Sequence, residues 1–142
     1  MALTIDGTNG IYGINSIGEA TTTTATAAGT TVNYYAQTQS VLYYTLSATS
    51  NWTLNIAGNA TTTLNAFMNS GDTRTITFLV TQGATAYYQT SLTIDGTSVT
   101  PKWQGGAAPI SGNANSIDAY TFAIIKTGSN QYTVLASQYK FA

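Results

Sequence analysis

Apolar and polar residues alternate with a period of two along much of this chain, the spacing that puts successive side chains on opposite faces of a strand. Residues 73–81 place Ile76, Phe78 and Val80 inward, with Arg74, Thr75 and Thr77 among the polar partners. Residues 52–57 align Trp52, Leu54 and Ile56, and residues 117–125 align Tyr120, Phe122 and Ile124. Residues 131–136 align Tyr132 with Val134, and β-like runs at 32–35, 41–46 and 86–94 complete the set. Six or more short strands at this spacing, rich in Thr and Tyr, predict an all-β fold: an antiparallel β-sandwich, jelly-roll-like.

Turn chemistry separates the runs. The hexapeptide Leu-Thr-Ile-Asp-Gly-Thr occurs at 3–8 and again at 92–97, and its Asp-Gly pair suits a tight hairpin. Its flanks differ, so it reads as one turn device used twice. Gln82-Gly83-Ala84 and Gly128-Ser129-Asn130 are expected to close two further hairpins. Thr63 is placed to cap one short helix in which Leu64, Phe67 and Met68 share a face, with Gly71 as its left-handed stop. The stretch 100–109 holds both prolines and Gly105-Gly106, and reads as the bend joining two halves of the sandwich.

Residues 1–30 read differently. Ile11, Ile14 and Ile17 stand between glycines, which favours an extended arm over a helix, and the Thr/Ala-rich residues 19–31 read as a linker. Leu3, Ile5, Ile11, Tyr12, Ile14 and Ile17 are too apolar for an idle tail, so the arm is expected to order against a neighbouring subunit. The sandwich domain is then 31–142.

Composition narrows the partners. Of 142 residues only 6% are charged and 43% are hydrophobic, with a formal net charge of -1. One domain of this length buries roughly 68–70% of its unfolded surface. Four scattered cations, Arg74, Lys102, Lys126 and Lys140, argue against nucleic acid. No run has the roughly 20 apolar residues that span a bilayer, and the first residues carry no secretory pattern, so a soluble protein without membrane contact is expected. With neither His nor Cys there is no imidazole base, thiolate or common zinc site, and no cofactor is implied.

Asp72, Asp95 and Asp118 are the carboxylates to weigh for glycoside hydrolysis, but all sit at expected turns or strand starts, where Asp commonly caps backbone amides. An enzyme is not expected. The doublets Tyr34-Tyr35, Tyr43-Tyr44 and Tyr87-Tyr88 should each send one ring inward and one outward. Tyr34, Tyr43 and Tyr87, with Lys102 and Trp103, are the candidate surface contacts, suited to identical copies or to a sugar.

Several stretches carry a resemblance: Thr100-Pro101-Lys102-Trp103-Gln104-Gly105-Gly106, Ser116-Ile117-Asp118-Ala119-Tyr120-Thr121-Phe122, Ile125-Lys126-Thr127 and Val134-Leu135-Ala136-Ser137. Together with Asn51-Trp52-Thr53-Leu54-Asn55 and Thr77-Phe78-Leu79-Val80-Thr81, they resemble a β-rich module of tailed-phage virion structural and fibre proteins, of the marine cyanophage type, over residues 48–142. The opening residues 3–11 are similar, more weakly, to amino-terminal arms of phage tail and head accessory proteins. The resemblance implies a non-catalytic virion component, commonly oligomeric, and no ligand site. Such modules usually end longer proteins, so here attachment to another virion protein is expected through the arm or the module itself. The expected function is capsid decoration (cement) or another virion-surface accessory role, as a homo-oligomer, a trimer, localised to the virion. The alternative is a receptor-binding tail-fibre tip that binds host surface glycans.

Overall fold

The computed structural model describes residues 4–6 and 10–12 by their backbone and residues 18–142 in full. It is an all-β, sandwich-like fold of two facing sheets with one short helix. The strands are β1 (Thr4–Asp6), β2 (Gly10–Tyr12), β3 (Thr21–Ala27), β4 (Thr31–Tyr35), β5 (Val41–Leu46) and β6 (Trp52–Ala57). After helix α1 (Leu64–Phe67) come β7 (Thr73–Thr81), β8 (Gln89–Ile94), β9 (Thr97–Val99), β10 (Lys102–Trp103), β11 (Ile117–Gly128) and β12 (Gln131–Phe141). The larger sheet runs β10-β12-β11-β7-β5-β3 and the smaller β4-β6-β8-β9, while β1 and β2 pair antiparallel as a separate hairpin.

From β3 to β8 the chain alternates between the sheets, and each return lands parallel beside the strand before it. Thr21, Val41 and Thr77 are in register across β3, β5 and β7. Val32, Leu54 and Leu92 are in register across β4, β6 and β8. The result is three stacked coils whose corners also hydrogen-bond. Thr49 N–H donates to the Ala28 carbonyl at 2.9 Å, and Ala48 N–H to that of Thr81 at 2.9 Å. Alanine suits these corners because Ala28 and Ala48 are buried where the two sheets converge. Antiparallel pairing enters with β11, which bonds both β7 and β12, and with the β8–β9 hairpin.

The antiparallel pairing expected throughout is therefore corrected to mixed sheets. Gln82-Gly83-Ala84 is no hairpin, since β7 and β8 belong to different sheets. Residues 21–27 are not a linker but strand β3, paired to β5 over Thr21–Ala27. β-Branched threonine favours extended backbone, and the ladder to β5 supplies the partner that no large side chain announced.

Other expectations hold. Trp52, Leu54, Ile56, Ile76, Phe78, Val80, Tyr120, Phe122 and Ile124 are buried together. Trp52 is their centre, edge-on to Phe78 at 5.9 Å and to Tyr120 at 5.6 Å. The β8–β9 turn has Asp95 at φ 51 and Gly96 at φ 79, as a hairpin with two left-handed residues requires. Thr63 Oγ1 accepts from Ala66 N–H at 3.0 Å and caps α1. The helix ends at Met68, however, and Gly71 (φ 94) serves the following turn, donating to the Lys126 carbonyl at 2.8 Å. The stretch 100–109 does carry the chain from one sheet to the other, between β9 and β10.

Candidate interaction surface

Each sheet turns one face to the core and one away from it, and the two outer faces differ in chemistry. On the smaller sheet the outer face is a polar ladder. Asn55 Nδ2 donates to Asn33 Oδ1 at 3.1 Å, Thr93 Oγ1 to Asn55 Oδ1 at 2.8 Å, and the Thr53 and Ser91 hydroxyls bond at 2.7 Å. Parallel in-register pairing makes this possible by stacking Asn33, Asn55 and Thr93 side by side.

The larger sheet sets apolar side chains among threonines instead. Its register aligns Tyr43, Leu79, Ala119 and Tyr139 in one cross-strand row, and Thr81, Ile117 and Phe141 in the next. Leu135 and Ala123 form a further row, with Lys102 at its edge. Leu135, Tyr139 and Phe141 are 46%, 47% and 58% exposed, and the Tyr139 and Phe141 rings lie 6.4 Å apart. Two hollows flank this ridge, one of about 490 Å³ bordered by Tyr43, Ile117 and Phe141, the other of about 430 Å³ bordered by Leu135, Ala123 and Trp103.

Charge is kept off this face by the phase of the alternation. Arg74, Asp118, Lys126 and Lys140 share register parity with the inward Ile76, Tyr120, Ile124 and Gln138, not with the outer row. Arg74 lies over the Phe67 ring at 4.8 Å. Buried Lys126 donates through Nζ to the carbonyls of Asn65 at 2.6 Å and Met68 at 2.8 Å, closing the end of α1. Lys140 Nζ reaches Ser111 Oγ at 2.9 Å. Only Lys102, at the margin, brings charge to the outer face of β3, β5, β7, β10, β11 and β12.

Of the surface candidates, Tyr43 lies on this face, Lys102 on its rim, and half-buried Trp103 beside it, packed on Phe122 at 6.1 Å. Tyr34 is corrected: it is fully buried, because its register with Ile56 turns it to the core, and its hydroxyl donates to the Gln39 carbonyl at 3.3 Å. In that doublet Tyr35 is the outer ring. Tyr87 packs against the core cluster from a loop, not a strand. Of the arm residues, Ile5, Ile11 and Tyr12 fall within β1 and β2, whereas Leu3, Ile14 and Ile17 lie outside the described residues. Leu79, Ile117, Leu135, Tyr139 and Phe141 were missed by reading one apolar face per strand; apolar residues at both parities of 117–125 were the available signal.

The three candidate carboxylates hold the backbone. Asp72 Oδ2 accepts from Asn69 N–H at 2.8 Å, and Asp95 accepts from Leu64 N–H at 2.7 Å and Asn65 N–H at 3.0 Å. Asp118 is fully buried at one end of the core, where its Oδ2 accepts from Gln82 Nε2 and Asn113 N–H, both at 3.0 Å, and its Oδ1 has no partner among the described residues. Desolvation raises its pKa against the opposing pull of those bonds and of Lys140. Burial likewise raises the Tyr34 and Tyr120 phenols, and burial with nearby Asp95 pushes Tyr132 up to about 12. Among the described residues no group of three His, Cys, Asp or Glu side chains could hold a metal ion, and no helix is long and apolar enough to cross a membrane. No protein family, curated protein or solved structure matches this chain.

Proposed function

We propose that this protein is a non-enzymatic structural subunit of a tailed-phage virion, decorating the capsid or serving as another virion-surface accessory protein, and that it works as a homo-oligomer, a trimer. The observation that carries the reading is the outer face of the larger sheet, where apolar side chains from four strands, Tyr43, Leu79, Ile117, Leu135, Tyr139 and Phe141, stand among threonines and charge enters only at the Lys102 margin. A lone subunit in water would expose that area at a cost, whereas packing against protein removes it. The resemblance of residues 48–142 to a virion module supplies the setting. Mass spectrometry of purified particles tests it: the chain should be found in intact virions, with gold-labelled antibody on the head for decoration or on the tail for a fibre role. Absence of the chain from particles would overturn the reading.

One observation favours the fibre-tip alternative. A cavity of about 680 Å³ lies between the β8–β9 and β11–β12 hairpins, lined by hydroxyls and amides of Thr97, Ser98, Thr100, Asn130 and Gln131. Hydrogen-bonding walls of this kind, with the Asp95 carboxylate among them, suit a glycan. A glycan array probed with the purified protein decides, with signal lost in Asn130→Ala.

A further inference from the structure

We propose that the outer face of the larger sheet is covered by copies of this same chain. The inference rests on the structural-subunit reading above and names the partner for its surface. A face with almost no charge cannot select a partner through complementary charge, so it recognises a surface of like composition. The like surface within reach is its own counterpart, because the other outer face is dominated by the hydrogen-bonded Asn33, Asn55, Thr93, Thr53 and Ser91 side chains.

Dimensions agree. β5, β7, β11 and β12 lie side by side, so at about 4.8 Å per strand they span about 19 Å. The nine residues of β7 at about 3.3 Å each give a length of about 30 Å. The plane is thus about 570 Å² per copy, or about 1,100 Å² for two, which passes the threshold of about 1,000 Å² for a specific interface. The Tyr139 ridge and the hollows beside Leu135 and Phe141 provide the relief for interdigitation.

Native mass spectrometry and sedimentation of the full chain test this. The wild type should be a closed homo-oligomer, and Leu135→Lys combined with Tyr139→Lys should be a monomer with an unchanged far-ultraviolet circular dichroism spectrum. Ser91→Lys, on the opposite outer face, should leave the oligomer intact. If the double variant fails to fold, Leu135→Ser should weaken assembly at least tenfold. A monomeric wild type, or an oligomer that tolerates both lysines, would overturn the proposal. An oligomer that tolerates both lysines, with the chain still found in virions, would sink this interface alone, while assembly lost as expected, with the wild-type chain absent from virions, would sink the virion role alone.

Discussion

Lys126 shows how a residue reads differently in sequence and in place. Alone it is one of four scattered cations; folded, it is buried and its ammonium holds two carbonyls at the end of a four-residue helix too short to be stable by itself. Lys126→Met keeps the apolar stem and removes both bonds, leaving two carbonyls without their donor. We expect a loss of about 2–4 kcal/mol in urea unfolding, since bonds from a charged donor contribute about 1.5–3 kcal/mol each and part is recovered by no longer burying the charge. Trp52 is the packing counterpart. Legible as core from its alternation with Leu54 and Ile56, it proves to be the wedge between Phe78 and Tyr120, and Trp52→Ala should cost about 3–5 kcal/mol.

Strand β3 is the element least legible in sequence. Thr21–Ala27 contains no large apolar side chain, and its value lies in its backbone, which covers the edge of β5 and leaves Leu42 and Tyr44 inside. A truncation through residue 30 removes β3 and the buried corner at Ala28, so it should melt at least about 5 °C below a truncation that stops at residue 17, by differential scanning calorimetry. Equal melting temperatures would show that β3 contributes nothing. The β8–β9 hairpin lies at the other extreme. Asp95-Gly96 announced it, but that the same Asp95 carboxylate also caps α1, thirty residues away, followed only from the packing of the hairpin over the helix.

At the scale of the whole molecule, a chain with no His and five carboxylates is expected from its composition to have stability nearly flat between pH 5 and 9. The structure adds two slopes. Asp118 is held above its unfolded value, so its contribution is full below about pH 4 and falls as pH rises through the folded pKa. Tyr34, Tyr120 and Tyr132 are also raised, so the folded state retains protons that the unfolded chain releases above about pH 10. Stability should drop steeply from pH 10 towards 12, and absorbance titration should show these three phenols ionising only as the protein unfolds; release in step with exposed tyrosines would contradict the burial. By itself, the sequence determined the inward residues of β6, β7 and β11, the tight turn at Asp95-Gly96 and where the helix starts, because these depend on period, left-handed backbone and capping within a few residues. Tertiary structure alone decided which strands pair and in which direction. A period of two is the same in parallel and antiparallel ladders, so three coils and a hairpin sandwich share one pattern. The outer face that now bears the functional proposal became visible only when register put Tyr43, Leu79, Ala119 and Tyr139, from four separate strands, into one row.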